Sequence, residues 1–243
     1  MRRRLKKFVE RLAGVRILRD VPGGMSLGAD LAQWLPKLDV KVVFDVGANT
    51  GQSARAFASD FPSATIHSFE PGKAIFDQLV ANVGQHPRVR CHQIAFGSAA
   101  GEHDFVVHKV LSHLAKAGEA PSGHPVEKVR VALLSEFCRQ HAIERIGFLK
   151  IDTEGHDLEV LRGADEMLRD GRIDLVQVEA GMNPRNELHV PMERFKSFLE
   201  ERGYLLFGIY EQKHEWSGEP QLRRADLTFL SPRIWQSPEM RWR

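Results

Sequence analysis

Apolar positions along the chain follow two periods, which alternate from residue 40 onward. Short apolar runs, typical of buried strands, occur at 40–44, 64–69, 89–94, 146–151 and 175–178. Between and after these runs, apolar residues recur at helical spacing over 54–61, 74–83, 134–141, 158–168 and 192–202. This alternation predicts an α/β fold with right-handed βαβ units, in which a mostly parallel, twisted sheet carries helices on both faces. The segments 204–210 and 227–230 predict a closing antiparallel strand pair.

The first residues of the chain predict a basic amphipathic helix over 1–20. Arginines and lysines surround apolar residues at helical spacing, namely Leu5, Phe8, Leu12 and Val15. We expect this helix to pack on the main domain or on a second copy of the chain; contact with an anionic membrane surface is the alternative. A second short helical pattern ends at Pro36. We therefore place an N-terminal basic helical extension at 1–36 and the α/β domain at 37–243.

The alternation of strand and helix is interrupted at about 101–131, where we predict an inserted hairpin and loop. Residues 102–109 and 127–131 look like extra strands, and the stretch 112–125 between them is rich in Gly, Ser, Ala and Pro. Loops of this length in a compact domain are usually functional or disordered. We expect this one to close as a lid over a bound substrate.

Composition places the chain among ordinary globular proteins, because its 243 residues are 42% hydrophobic and 27% charged. A net charge of +2 does not indicate a polyanionic partner, so no nucleic acid is expected. The two cysteines, Cys91 and Cys138, lie far apart, which argues against a disulfide framework and fits a reducing compartment. No apolar run approaches the roughly 20 residues that span a bilayer, and we expect a cytoplasmic protein.

The residues between the first strand and the first helix of the α/β domain indicate a ligand-binding loop. Asp45 is followed by Gly47 and Gly51 in the sequence DVGANTG. Glycines let the backbone turn tightly, and the helix start offers free N–H groups to a carboxylate or phosphate. The spacing lacks the middle glycine of the dinucleotide pattern GxGxxG, and the residues that follow are not the GK[ST] of a P-loop. The loop fits the amino-acid tail of S-adenosylmethionine better than a pyrophosphate.

The second strand supports a bound nucleoside, because it ends in Phe69-Glu70-Pro71, about 20 residues beyond the glycine loop. An acidic residue at this point commonly binds ribose hydroxyls. We therefore expect Glu70 to hold the ribose and Asp45 to hold an ammonium group or a ribose hydroxyl.

Four segments, in this order and spacing, resemble the FkbM-type methyltransferase family: VFDVGANTGQ, FEP, IAFGSAAGE and FLKIDTEGHDLEVLRGA. The resemblance covers roughly residues 40–231 and leaves the basic N-terminus outside. It implies a class I methyltransferase, Rossmann-like fold with S-adenosylmethionine as donor. It also implies O-methylation of a hydroxyl on a sugar, glycan or polyketide-type molecule. On matching positions it places donor contacts at Asp45, Gly47, Asn49, Gly51 and Glu70, and near Ile94 and Ala95 after the third strand. We include Ala48, which lies within the same loop, among the expected donor contacts.

The ends of the fourth and fifth strands supply the candidate catalytic residues. Alternation should put Lys150 and Asp152 on one face, with Asp152 at the strand tip, facing the cleft. We expect Asp152 to contact the methionine portion of the donor or to position the acceptor. Glu154 and His156 lie in the following turn and are candidate bases, since methylation of a hydroxyl releases a proton. Glu179 ends the fifth strand and is expected to enter the same cleft.

Two further roles remain open at this cleft. A divalent cation such as Mg²⁺ could bind the oxygen ligands of Asp152, Glu154 and Glu179. No spacing rule requires a metal, so the main prediction is a site without one. Ser112 and His113 are expected to contact the acceptor, because similar proteins carry a serine-containing loop beside the active site.

Two other functions fit part of the sequence. A nucleic-acid methyltransferase would match the basic N-terminus, but the chain has no [DN]PP[YFW] tetrapeptide and no cysteine at a strand tip. A non-catalytic, adenosylmethionine-binding partner subunit would have less reason to keep Asp152, Glu154 and Glu179. We therefore favour an enzyme.

Overall fold

The computed structural model of the chain describes residues 9–15, 22–108, 112–115, 123–216 and 218–238. Its elements from residue 22 onward are, in chain order, α1 (Leu27–Trp34), β1 (Val42–Val46), α2 (Gln52–Asp60), β2 (Thr65–Phe69), α3 (Lys73–Val83), β3 (Val89–His92), β4 (Ala95–Phe96), β5 (Gly101–Val106), β6 (His113–Leu114), β7 (Val126–Ala132), α4 (Leu134–Gln140), β8 (Ile146–Ile151), α5 (Asp157–Gly163), α6 (Asp165–Arg169), β9 (Ile173–Gly181), α7 (Met192–Glu200), β10 (Leu205–His214), β11 (Leu222–Leu230) and α8 (Pro232–Trp235).

The centre of the molecule is a seven-stranded sheet in the order β10-β11-β9-β8-β1-β2-β3. Strand β1 pairs in parallel with β2 and β8, and β9 continues the parallel order beside β8. Strand β11 runs antiparallel to both of its neighbours, β9 and β10, which confirms the predicted closing pair. The chain moves outward from β1 to β3 and then returns to the other side of β1 through β8. This reversal opens a crevice at the carboxyl ends of β1 and β8, where ligands bind in sheets of this kind.

Side chains of the sheet alternate between two apolar layers, one on each face. Phe44 and Leu149 belong to one layer, and Val43 and Phe148 belong to the other. All four are fully buried, and complete burial of an apolar side chain of this size contributes about 1.5–3 kcal/mol. The sheet is therefore buried on both faces, and polar side chains of these strands reach a ligand only at the strand ends.

The inserted segment forms a second, four-stranded sheet in the order β4-β7-β5-β6. Strands β5 and β7 make the predicted antiparallel hairpin, and the short β4 pairs in parallel with β7. The prediction of one strand over 89–94 is wrong, because the chain leaves the main sheet after His92 and enters the second sheet at Ala95. Phe105, Leu114 and Val129 pack together in the apolar cluster of this sheet.

Two predicted elements differ in extent from those observed. The single helix expected over 158–168 is two helices, since Ala164 adopts φ −102° and ψ 4° and both ends α5 and starts α6. Strand β9 is longer than the predicted 175–178, because every residue from Ile173 to Gly181 is buried between the helices on both faces and the neighbouring strands.

Of the predicted N-terminal helix, residues 9–13 are helical, and residues 1–8 and 16–21 lie outside the described part. Leu12 and Val15 are exposed. Helix α1, which falls within the predicted extension 1–36, packs into the core of the α/β domain through Leu31 and Leu35. The predicted lid at 112–125 is described only at 112–115 and 123–125. Among the described helices, none has both the length and the apolar character needed to cross a membrane.

Candidate active site

A cavity of about 680 Å³ lies at the carboxyl ends of β1, β2 and β8 and is roofed by the second sheet. The glycine loop, Glu70 and the turn after β8 contribute its polar lining. Apolar side chains form much of the remaining wall: Val46, Phe69, Ile75, Ile94, Phe96, Phe105, Val107 and Leu114. Cavities for small molecules are typically of this size, with mostly apolar walls and few polar groups.

The glycine loop after β1 is held in a conformation that only glycine accommodates at Gly47. Its φ is +81°, and a Cβ there would lie 1.9 Å from the carbonyl oxygen of Asp152. Gly51 precedes α2 with φ +93°, and a Cβ at this position would press on Leu79 and Val83 of α3. The loop therefore packs directly against the end of β8, and its residues Gly47, Asn49 and Thr50 line the cavity.

Glu70 joins the glycine loop to the start of α3. Its Oε2 accepts a hydrogen bond from the backbone N–H of Asn49 (3.2 Å), and its Oε1 accepts one from Gly72 (3.1 Å). Burial raises the pKa of Glu70 to about 7, although both backbone N–H groups favour its charged form. Glu70 and Asn49 both line the cavity.

Asp45 lies behind the loop and does not line the cavity. It is fully buried, and neither carboxylate oxygen has a hydrogen-bond partner among the described residues. Burial raises its pKa to about 6, against the effect of the Lys150 ammonium on the neighbouring strand. A contact between Asp45 and a bound donor therefore requires a bridging group or a shift of the loop. Of the other predicted donor contacts, Ile94 and Ala95 line the cavity, whereas Ala48 and Gly51 do not.

Asp152 lies at the tip of β8 and lines the cavity, on the same side of the strand as Lys150. The Lys150 ammonium donates to Asp152 Oδ2 at 2.9 Å. Burial alone would raise the pKa of Asp152, but the charge and the hydrogen bond of Lys150 hold it below its usual value. Asp152 is therefore a fixed carboxylate suited to positioning a ligand, and it is too weakly basic to be the best proton acceptor.

The turn after β8 brings Glu154 and His156 to the cavity wall. Glu154 has φ +52°, and Asp157 holds the turn by accepting hydrogen bonds from the backbone N–H groups of Thr153 and Gly155. Burial, followed by the charge of Asp152, raises the pKa of Glu154. Burial lowers the pKa of His156, whose imidazole makes no hydrogen bond to any other described residue. A neutral imidazole at the wall, without a hydrogen-bond partner among the described residues, has the properties of a general base.

Glu179 does not line the cavity, because Arg224 and His189 hold its carboxylate beneath the wall. Its Oε1 pairs with the guanidinium of Arg224, and its Oε2 lies 2.7 Å from His189 Nε2. His189 Nε2 also lies 3.8 Å from Glu154 Oε2. His189 was not predicted from the sequence. It lies in the loop after β9, and ligand-binding residues concentrate after the carboxyl ends of strands in such sheets. This position is the feature of the sequence that could have pointed to His189.

The structure places the two predicted acceptor residues differently. Ser112 lines the cavity, but its hydroxyl is engaged with the backbone of His108, donating to the carbonyl oxygen and accepting from the N–H. His113 lies in β6 and does not line the cavity. His108 and His124, which were not predicted as site residues, do line it, and their rings meet edge to face at 4.7 Å.

Comparison with known proteins identifies the family. The Methyltransferase FkbM domain matches residues 45–206, two thirds of the chain. Hexuronic acid methyltransferase AglP of Haloferax volcanii is 26% identical over 146 residues, which cover 60% of this chain and 59% of that protein. The 2-O-methyltransferase NoeI of Sinorhizobium fredii is 23% identical over 184 residues, covering 69% of this chain and 72% of that protein.

A third relative is 31-O-demethyl-FK506 methyltransferase FkbM of Streptomyces tacrolimicus, which is 29% identical over 156 residues. The match covers 51% of this chain and 60% of that protein, so the chain spans less than two thirds of this relative and of AglP. The family match confirms the resemblance inferred from the four sequence segments. The chain is an S-adenosylmethionine-dependent methyltransferase and belongs to the FkbM family.

Proposed function

We propose that the protein transfers a methyl group from S-adenosylmethionine to a hydroxyl of a sugar or a polyketide-type molecule. The observation that carries this proposal is that one continuous cavity is lined both by the glycine loop with Glu70 and by the segment bearing Asp152 and His156. One continuous space suits a donor and an acceptor held in line, and good alignment contributes up to roughly 7–11 kcal/mol to lowering the barrier.

The donor is assigned to the end of the cavity at the glycine loop. Its carboxylate tail meets the glycine loop at Asn49 and Thr50, which line the cavity, and its ribose meets Glu70. The adenine lies between the apolar residues Ile94 and Phe96, both of which line the cavity. This orientation directs the sulfonium methyl group toward Asp152 and the turn after β8.

His156 is assigned the role of general base. As the acceptor oxygen bonds to the methyl carbon, the carbon–sulfur bond breaks and its electron pair stays on sulfur, giving S-adenosylhomocysteine. The hydroxyl proton passes to the neutral imidazole of His156. Burial keeps this imidazole neutral near pH 7 by lowering its pKa, and a positioned base contributes about 10²–10⁴ in rate.

The acceptor class is supported by the names of the relatives. AglP is named for a hexuronic acid, NoeI for a 2-O position and FkbM of Streptomyces tacrolimicus for a 31-O position of FK506. Two of these names specify oxygen as the methylated atom, and one specifies a sugar acid. The apolar walls of the cavity suit the carbon face of a sugar ring or a macrolide equally well.

A turnover assay with radiolabelled S-adenosylmethionine tests the proposal against sugars, sugar nucleotides, macrolides and matched amines. We expect hydroxyl acceptors to be methylated and their amine analogues not to be. His156→Gln should lower kcat by about 10²–10⁴ and leave the calorimetric affinity for the donor unchanged. His214→Gln, at an exposed histidine outside the cavity, is the control and should keep full activity. Methylation of amines alone would refute O-methylation.

A further inference from the structure

Three side chains from three parts of the chain converge beside the cavity. Glu154 comes from the turn after β8, Glu179 from the end of β9 and His189 from the loop that follows. One donor atom of each lies within 4.8 Å of the other two. Glu179 and His189 are buried, and Glu154 also lines the cavity. Two carboxylates and an imidazole form a mixed oxygen and nitrogen donor set.

Asn186 fixes which nitrogen of His189 carries a proton. Its Oδ1 accepts hydrogen bonds from the backbone N–H groups of Leu188 and His189, and its Nδ2 donates to the carbonyl oxygen of Arg223. The atom facing His189 Nδ1 at 3.0 Å is therefore an acceptor, so Nδ1 must be the donor. The lone pair of a neutral His189 is then on Nε2, the atom that faces the two carboxylates.

A neutral Nε2 and a carboxylate oxygen are both acceptors, so the 2.7 Å between His189 and Glu179 calls for a cation at this point. A proton on Nε2 would satisfy Glu179 alone. Glu154 Oε2 lies 3.8 Å from Nε2 and would stay buried without a hydrogen-bond partner among the described residues. Of the nearby cations, Lys150 binds Asp152, Arg224 binds Glu179 and the Arg223 guanidinium stacks on the ring of Trp216. A cation with more than one coordination position satisfies all three groups.

We infer that Glu154, Glu179 and His189 bind a divalent first-row transition metal ion such as Mn²⁺ or Zn²⁺. An imidazole nitrogen favours these ions over Mg²⁺ and Ca²⁺, which prefer ligand sets made of oxygen. Asn186 supplies the second hydrogen bond that metal-binding histidines almost always make. The predicted set of Asp152, Glu154 and Glu179 is thereby replaced by one in which His189 takes the place of Asp152. If the proposed O-methylation holds, an ion bound through Glu154 lies at the cavity wall, where an acceptor oxygen completes its coordination.

Metal binding is tested on tag-free protein, freed of metal with a chelator and studied without donor or acceptor. Calorimetric titration with MnCl₂ should give one site with a dissociation constant in the micromolar range or below. Pulsed electron paramagnetic resonance of bound Mn²⁺ should show coupling to one imidazole ¹⁴N. His189→Gln should remove this coupling and weaken binding at least ~10-fold, and Glu154→Gln should weaken binding by a similar factor.

His156→Gln is the matched control, because His156 lines the same cavity but lies outside the donor set. It should keep both Mn²⁺ affinity and the ¹⁴N coupling while losing turnover. Glu154→Gln alone decides the result should His189→Gln fail to fold by circular dichroism. The inference is overturned if folded wild-type protein binds neither Mn²⁺ nor Zn²⁺ below about 1 mM, if bound Mn²⁺ lacks ¹⁴N coupling, or if the Glu154 and His189 variants bind like the wild type. Each of these results would leave the O-methylation proposal standing. Each would indicate that a proton, and not a metal ion, lies between His189 Nε2 and Glu179.

Discussion

Replacement of Gly47 by alanine tests whether close packing against the end of β8 shapes the donor loop. A Cβ at Gly47 would lie 1.9 Å from the carbonyl oxygen of Asp152 and 2.8 Å from its carbonyl carbon. Both are backbone atoms at the end of a central strand, so no side-chain rotation relieves the contact. The left-handed backbone costs a residue other than glycine about 1–2 kcal/mol, and overpacking costs about 1–3 kcal/mol.

We expect Gly47→Ala to lower the free energy of unfolding by about 3 kcal/mol. For a chain of this size the corresponding fall in Tm is about 6–12 °C. The loop must also move away from Asp152 to make room for the methyl group. Because Asn49 of the same loop donates to Glu70, the ribose site should be distorted, and we expect the affinity for S-adenosylmethionine to fall at least ~10-fold.

Gly171→Ala is the matched control, because Gly171 has φ +61° but no atom within 4 Å of a Cβ built there. It should show only the backbone cost of about 1 kcal/mol, or about 2–4 °C in Tm, with unchanged donor affinity. Thermal and urea unfolding followed by circular dichroism, together with calorimetric titration of the donor, measure both effects. Equal losses of stability in the two variants, with normal donor binding by Gly47→Ala, would refute the packing argument.

Three other substitutions test the charged groups of the site. Burial raises the pKa of Glu70 to about 7, so wild-type affinity for the donor should fall between pH 8 and pH 6. Glu70→Gln should bind the donor weakly at both pH values. Calorimetric titration at pH 6 and pH 8 measures this, and a donor affinity of Glu70→Gln that changes with pH would contradict the prediction. Asp152→Asn should fold and lose about 10² in kcat because the acceptor is misplaced; a near-normal kcat would rule out its positioning role. Burial also raises the pKa of Asp226 to about 6. The folded state therefore binds this proton more tightly than the unfolded chain, and the carboxyl costs stability as the pH rises through 6. Asp226→Asn should raise Tm more at pH 8 than at pH 5, and equal shifts would contradict this.

Periodicity alone predicts the parallel sheet and the strand ends that bear Glu70 and Asp152. Side chains alternate with a period of two along β8, so Lys150 and Asp152 had to share a face, and the structure joins them at 2.9 Å. The glycine spacing likewise indicates the turn at Gly47, where φ is positive. These features are local, since each depends on a strand and the few residues after it.

The position of His189 was beyond this kind of reasoning because it depends on how a loop closes. The N–H of Gly181 donates to the carbonyl oxygen of Val190 at 2.9 Å, which folds the loop after β9 back onto its own strand. Asn186 then bonds to the backbone of Leu188 and His189 and turns the imidazole toward Glu179. The addition of β4 to the predicted hairpin was missed for the same reason. The pairing of β4 with β7 joins residues more than 30 positions apart, and no local pattern encodes it.

Three acids at strand ends show how little strand position alone says about chemistry. Asp45 of β1 is the register partner of Lys150 in β8, and Lys150 pairs in turn with Gln177 of β9. Asp152 lies two residues after Lys150, and Glu179 lies two residues after Gln177, so each acid shares a face with the paired residue before it. Asp45 is sealed beneath the glycine loop without a hydrogen-bond partner among the described residues. Asp152 is kept charged at the cavity by Lys150, and Glu179 is drawn away from it by Arg224 and His189. Register brings a carboxylate to the edge of the sheet. The side chains and loops around it then decide whether that carboxylate faces the cavity, as Asp152 does, or is buried away from it, as Asp45 and Glu179 are.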